Sequence, residues 1–150
     1  MWVVLTIVGP LVLVSVVLFT VFAAIRKAID RAAHELSSEG IELDSGPVTV
    51  TTRARRFRAR GIYSAGGIRR NPARVVLTKQ RLHILQRPQR YGIIERADLA
   101  RFTVDVVRGK LRLRSEDPPG ASGAIDYRMA APDVDAWVAA LAAAGARRAA

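Results

Sequence analysis

The chain begins with an apolar run from Trp2 to Ile25, built mostly of Val, Leu, Ile, Phe and Ala and free of charged side chains. A helix rises about 1.5 Å per residue and a bilayer core is about 30 Å thick, so about 20 such residues cross it. Gly9 and Pro10 interrupt the run, but a spanning helix tolerates a proline with a kink. The pattern predicts a transmembrane helix over residues 1–25.

A secretory signal peptide is the alternative interpretation of this run. Such a peptide has a basic segment ahead of an apolar core of about 7 to 15 residues. No Lys or Arg precedes the run, and the run is longer than such a core. Ala23 and Ala24 are small enough for a cleavage site, so export stays open as the second interpretation, and a retained anchor is the one we adopt.

Basic residues directly follow the apolar run and predict its orientation. Arg26, Lys27 and Arg31 stand after it, whereas no basic residue stands before it. Because basic flanks stay on the cytoplasmic side, we expect the N-terminus outside the cell membrane and the rest of the chain in the cytoplasm. The absence of cysteine fits a reducing compartment but does not discriminate.

Helical spacing of apolar residues continues past Ile25 as far as Leu36, and Gly40 is a typical residue to end a helix. Residues 26–45 are therefore predicted to form a juxtamembrane helix and linker, the linker extending from Ile41 to Pro47. A short stalk is favoured over an interfacial or partner-binding helix, because the amphipathic pattern is modest.

Between residues 46 and 146 the apolar residues alternate with polar ones, which is typical of short, half-buried strands. The alternating positions are Val48, Val50, Val76, Leu82, Ile84, Phe102, Val104, Val106, Leu111, Leu113, Ile125, Tyr127 and Met129. Arg108 and Gly109 predict a two-residue hairpin turn. About 100 residues are enough for one domain with its own core, and an antiparallel meander is the simplest topology.

One helix is predicted after these strands, beginning near Pro132 and Asp133 and ending at Gly145. Its apolar residues recur at the spacing of a single buried face: Val134, Trp137, Val138 and Leu141. Residues 147–150 form a basic tail end. The predicted fold is thus a transmembrane helix followed by a mainly-β barrel or sandwich that a C-terminal helix caps.

Two motifs resemble one known family. The run from Val75 to Ile84, VVLTKQRLHI, resembles the "LTxxRL" hairpin of bacterial pleckstrin-homology-like (PH-like) and GRAM-like domains, with Thr78 and Arg81 flanking a tight turn. The last helix carries Trp137 at the separation expected for that family. The resemblance implies a strongly bent, seven-stranded antiparallel barrel or sandwich with a C-terminal helix. It also implies a domain that binds peptides, proteins or lipid headgroups and catalyses no reaction.

The chain is strongly basic, with a formal net charge of +11, and many of its arginines cluster in the first half of the β domain. Strand alternation places Arg56, Arg58 and Arg60 on one solvent-facing row, and Arg53 and Arg55 on the face of Phe57. The tentative site for anionic lipid or phosphate consists of basic residues only. They are Arg56, Arg58, Arg60, Arg69, Arg70 and Arg74.

Three interpretations of this basic cluster stay open. The first is a general preference for Arg combined with the cytoplasmic positive bias. The second is contact with anionic lipid, to which each basic residue near the surface contributes about 1 kcal/mol. The third is a specific phosphate-bearing ligand, although the order of the basic residues departs from the phosphoinositide-binding pattern. Nucleic acid is disfavoured because exposed aromatic residues are not interleaved with the arginines.

No combination of residues predicts catalysis, a cofactor or a metal site. The chain lacks cysteine and has two histidines, of which His83 lies between apolar strand residues. Together the patterns predict a membrane-anchored, non-enzymatic binding or scaffold module for a protein or peptide, which docks on a sheet edge. The anchor would concentrate the domain at the membrane and the basic row would orient it. The alternative function is an anionic phospholipid headgroup-binding domain at the inner leaflet.

Overall fold

The computed structural model describes residues 2–59, 62–86 and 91–149 of the 150-residue chain. Helix α1 spans Trp2–Glu35 and continues into a 3-10 turn at Leu36–Glu39, and a second 3-10 turn spans Arg96–Arg101. The strands and the last helix are β1 (Ile41–Ala59), β2 (Ile62–Thr78), β3 (Arg81–Gln86), β4 (Tyr91–Glu95), β5 (Thr103–Val107), β6 (Lys110–Ser115), β7 (Ala121–Met129), α2 (Val134–Ala143) and β8 (Arg147–Arg148).

The strands form one curled sheet, a half-barrel with the order β4-β3-β2-β1-β7-β6-β5-β8. Neighbouring strands are antiparallel except β5 and β8, which run parallel. The first four strands form one meander and β5 to β7 form a second, and the pairing of β1 with β7 joins them. A single meander, the topology predicted from the strand spacing, would leave β1 at one edge. The long β1 instead serves both meanders, which lets their apolar inner faces share one core.

The core fills the inner face of the half-barrel, and α2 covers its open side with Trp137 and Leu141, which are 2% and 0% exposed. Asp133 caps α2, since its carboxylate accepts a hydrogen bond of 3.1 Å from the Ala136 amide. The short C-terminal helix expected over residues 132–145 is therefore confirmed. The predicted turn at Arg108 and Gly109 is also present, with φ of 55° and 69°, as a two-residue hairpin of this type requires.

The linker predicted over residues 41–47 is not irregular chain, and this prediction is wrong. β1 begins at Ile41 and pairs with the end of β2, with register shifts between Ile41 and Leu43 and between Asp44 and Pro47. Gly46 has φ of 62° within the second irregularity. These irregularities break the period-two alternation of side chains, so the hydrophobic pattern carried no strand signal there.

Helix α1 extends well beyond the apolar run. It contains an 18-residue window with mean hydropathy 2.2, of which 6% is buried, so it is long and apolar enough to span a bilayer. Its C-terminal turns are different, because Ile29 and Ala33 pack in one buried cluster with Val76 of β2 and Leu85 of β3. The segment expected to be a short stalk is thus docked on the outer face of the sheet.

Candidate functional site

The most basic part of the domain is the hairpin of β1 and β2. β2 pairs with β3 only from Ala73 to Leu77, whereas it pairs with β1 along nearly its whole length. Pro72 directly precedes the β3 ladder, and a proline has no backbone N–H to extend it. Residues 66–70 of β2 are all exposed, and among the described strands this part of β2 pairs only with β1.

A β-bulge in β1 determines where the arginines of the hairpin lie. The register of β1 with β7 shifts between Arg55 and Arg58, and Arg56 has φ of 49°. Gly123 of β7 faces the bulge with φ of 90°. A Cβ at position 123 would lie 2.6 Å from the Arg56 carbonyl carbon, so the close approach of the two strands requires glycine there.

The bulge changes the phase of the side-chain alternation. Ala54 and Phe57 are both partly buried, a spacing of three residues rather than two, and Phe57 packs on the core. Arg53 and Arg55 are therefore exposed, and their predicted position on the face of Phe57 is wrong. Arg56 and Arg58 are exposed as well, whereas Arg60 lies outside the described residues.

Arg74, one of the six predicted site residues, is engaged within the fold. Its guanidinium lies 2.6 Å from Asp44 Oδ2 of β1 and 2.7 Å from Asp30 Oδ1 of α1. The Arg74 hydrogen bond and charge lower the pKa of Asp44 in spite of its partial burial, and the pKa of Arg74 is raised in return. Arg74 thus joins α1, β1 and β2 and is a structural residue.

The other arginines of the hairpin have few partners. No ion pair or side-chain hydrogen bond to another described residue involves Arg53, Arg56, Arg69 or Arg70. Arg55 lies 3.7 Å from Glu116, but its side chain is 75% exposed, and an ion pair this exposed contributes little to the stability of the fold. These side chains form an exposed cationic surface, which we call the hairpin arginines: Arg53, Arg55, Arg56, Arg69 and Arg70.

A surface groove of about 400 Å³ lies beside Arg53, Arg55 and Ile68 and extends across β7 and β6. Three further arginines line it, Arg112, Arg114 and Arg128, with two carboxylates, Glu116 and Asp126. Burial alone would raise the pKa of Asp126. The hydrogen bond from Arg128 and the charges of Arg112 and Arg128 together have a larger, opposite effect, so the pKa of Asp126 is lowered. Arg112 and Arg128 each lie 3.0 Å from Asp126, and Arg114 pairs with Glu116. Among the described residues, Arg53 is the one arginine of the groove that has no ion pair with a carboxylate.

The hairpin runs back along α1. Phe19, Phe22 and Arg26 of the helix line a cavity together with Thr49, Arg70, Asn71 and Pro72 of β1 and β2. Farther along the helix, Asp30 meets Arg74, so β2 runs in the same direction as α1 and its antiparallel partner β1 runs in the opposite direction. The arginines at this end of the sheet therefore lie on the side of the apolar run.

A polar contact holds the end of the helix against β3. Glu39 Oε2 lies 3.1 Å from Nε2 of His83, which is 3% exposed, and 3.2 Å from the Thr78 hydroxyl. The hydrogen bond to His83 is the main reason that the pKa of Glu39 is lowered. Sequence patterns missed this pairing of Glu39 with His83, because residues 44 positions apart meet only when the helix packs on the sheet.

Comparison with known proteins found no match among family models, curated proteins or solved structures. Within the described ranges, no group of three or more His, Asp or Glu side chains is arranged to hold a metal ion. The candidate site is therefore defined by the geometry of the hairpin, its arginines and its open edge.

Proposed function

We propose that this chain is a single-pass membrane protein whose PH-like β domain acts as a non-enzymatic binding module for a protein or peptide in the cytoplasm. The observation that carries the proposal is the continuity of α1. One helix holds both the apolar segment and Ile29 and Ala33, which are buried against the sheet. Such a helix holds the domain beside the bilayer at a defined orientation, which is what a membrane-bound binding module needs.

Several features support the PH-like assignment. Seven antiparallel strands form two meanders around one core, and a C-terminal helix inserts Trp137 into the open side. Thr78 and Arg81 flank the turn between β2 and β3, as the resemblance implies, and the Thr78 hydroxyl accepts a hydrogen bond of 3.0 Å from the Arg81 amide. The basic flank Arg26, Lys27 and Arg31 supports a cytoplasmic domain.

Site-specific photocrosslinking of the full chain in living cells tests this function. A crosslinking side chain is placed at one of three exposed apolar positions on separate strands: Ile68 of β2, Ile93 of β4 and Val106 of β5. We expect the same crosslinked protein from one of these strands in repeated experiments, and not from a crosslinking side chain at Phe19 of α1, which is 75% exposed. The absence of a reproducible product from all three positions would overturn the proposal.

Anionic lipid contact is a second candidate, which the position of the hairpin supports. Arg70 lies beside the last apolar turns of α1, and neither Arg70 nor its neighbour Arg69 has an ion pair to a described residue. An arginine in the centre of a bilayer costs about 2.5 kcal/mol or more, whereas the same residue among anionic headgroups contributes about 1 kcal/mol. The hairpin is therefore suited to the headgroup layer.

A spin label tests the lipid contact. The chain has no cysteine, so Arg58→Cys provides a single labelling site on the hairpin and Asp135→Cys provides a control on α2. In nanodiscs with phosphatidylglycerol we expect the label at position 58 to be shielded from an aqueous relaxation agent. High salt, neutral lipid or the combined change of Arg56 and Arg60 to Ser, with the label kept at position 58, should remove the shielding. Equal accessibility in neutral and anionic discs would contradict lipid contact.

A further inference from the structure

One strand edge in the basic hairpin has no covering element. β3 ends its pairing with β2 at Ala73, and α1 lies beside Arg70 to Pro72. From Ile62 to Arg69 no described strand pairs with the side of β2 opposite β1. The backbone groups on such an edge are a template for another extended chain, and an exposed edge of this length is a recognised mode of peptide binding.

The positive charge beside this edge indicates which kind of segment can bind there. Arg69 and Arg70 stand on the edge strand, and Arg53 stands opposite Ile68 on β1. A second copy of this chain would bring the same arginines against each other, and like charges directly opposite destabilise a strand pair. An acidic segment instead supplies opposite charge to side chains that lack partners among the described residues.

The register of the hairpin indicates which side chains such a segment would meet. Successive residues of a strand point to opposite faces, so Arg70 and Ile68 share one face of the sheet and Arg69 lies on the other. Ile68 is 63% exposed, and a Cβ added at Gly66 would have only the Ala54 carbonyl oxygen, at 3.9 Å, within contact distance. An acidic residue therefore fits beside each arginine, an apolar residue fits beside Ile68, and there is space beside Gly66.

We propose that the open edge of β2, residues 62–69, binds an acidic, extended segment of a partner protein by strand addition. This inference rests on the proposed function as a protein-binding module and names the edge and the chemistry of the partner. Backbone hydrogen bonds would supply affinity, and the arginines would select against neutral or basic segments.

Peptide binding to the full chain in phosphatidylcholine nanodiscs tests the inference. The probe is a fluorescent peptide of about ten residues that repeats Glu, Glu and Val, which places an acidic residue beside Arg69 and Arg70 and an apolar one beside Ile68 and is long enough to cover one strand edge. We expect binding that weakens by more than about tenfold when alternate backbone nitrogens of the peptide are methylated, because methylation removes the N–H donors. The matched Lys and Val peptide should not bind. Equal binding of the methylated and unmethylated peptides would show attraction by charge alone and overturn strand addition.

Two charge-matched double variants locate the site. Arg69→Ser with Arg70→Ser should weaken peptide binding by about fivefold to tenfold at low salt, the sum expected for two exposed charge pairs. Arg147→Ser with Arg148→Ser removes the same charge from exposed residues of β8 and should leave binding unchanged. Equal losses in the two double variants would show that only net charge matters and would contradict a site on β2.

Crosslinking separates failure of this inference from failure of the proposed function. Ile68→Cys should form a disulfide with a probe peptide that carries one cysteine, whereas Ile93→Cys on β4 and Val106→Cys on β5 should not. A cellular partner that crosslinks from position 93 and not from position 68 would leave the binding module intact and overturn the β2 edge. A partner that crosslinks from position 68 and competes with the probe peptide would support both.

Discussion

The two halves of β2 differ sharply although they belong to one strand. Near its C-terminal end, Val75, Val76 and Leu77 are each 0% exposed, whereas at the other end Ile68 is 63% exposed. Both halves pair with β1. Pairing with a long neighbour is thus enough to form the strand, and burial depends on what else packs against it.

Three elements account for the buried half. The main core packs on Val75 and Leu77 at the inner face, α1 covers Val76 at the outer face, and β3 pairs with the edge of the strand. None of the three reaches residues 66–69, where Gly66 and Gly67 have no side chains for packing. The buried half therefore connects the domain to α1, and the exposed half leaves its side chains open to solvent.

The largest effect is expected when an aspartate is introduced into each half of β2, which tests the difference between the two halves. Val76→Asp places a charge under α1 and should lower the free energy of unfolding by about 3 to 5 kcal/mol, the cost of an uncompensated buried charge. Ile68→Asp in the exposed half should change it by less than about 0.5 kcal/mol. Urea unfolding of the full chain in detergent, followed by Trp137 fluorescence in a Trp2→Phe background, measures both. Similar losses in the two variants would contradict the difference between the halves.

A smaller effect is expected at the bulge that positions the hairpin arginines. Gly123→Ala should lower the free energy of unfolding by about 2 to 3 kcal/mol, because an L residue is strained at this φ and its Cβ would meet the Arg56 backbone. Gly66→Ala in the exposed half provides the control and should be close to neutral, since the added Cβ has space. The same urea experiment measures both variants, and a neutral Gly123→Ala would mean that the bulge is not required.

Removal of one arginine from each half should show which arginines are structural. Arg74→Gln breaks the ion pairs with Asp30 and Asp44 and should lower the free energy of unfolding by about 1 to 2 kcal/mol. Arg70→Gln, four residues away, should have an effect below about 0.5 kcal/mol. If Arg70→Gln were instead the more destabilising of the two, Arg70 would have a structural role like that of Arg74.

The smallest effect concerns the pH dependence of helix docking. The folded protein lowers the pKa of Glu39, so the unfolded chain binds more protons as the pH falls, and the stabilisation by this group decreases. It is fully present above the unfolded pKa of about 4.5 and is lost as the pH falls through the lower folded value. Glu39→Gln should therefore destabilise the chain at about pH 7 and have less effect at about pH 3.5. A constant difference at both pH values would show that the Glu39 charge does not stabilise the docked helix.

Local patterns predicted the elements that obey one period without interruption. The apolar run, the face of α2 that carries Trp137, and the turn at Arg108 and Gly109 all follow from residues close together in the chain. The strand from Ile41 and the exposure of Arg53 and Arg55 were missed, because bulges interrupt the alternation at both places. Gly123 lies more than 60 residues after Arg56, so nothing local to either position indicated that they meet.

Local sequence patterns are enough to predict an apolar helix long enough for a membrane, a β-rich domain and a basic first hairpin, because hydrophobic periodicity and charge are local properties. Which arginines form ion pairs within the fold depends instead on how distant elements pack together. Arg74 and Arg70 are the same residue type on the same strand, yet Arg74 meets Asp30 and Asp44 while Arg70 has no such partner among the described residues. The difference arises because the packing of α1 on β2 and β3 brings carboxylates to Arg74 and only apolar and basic side chains of α1 to Arg70.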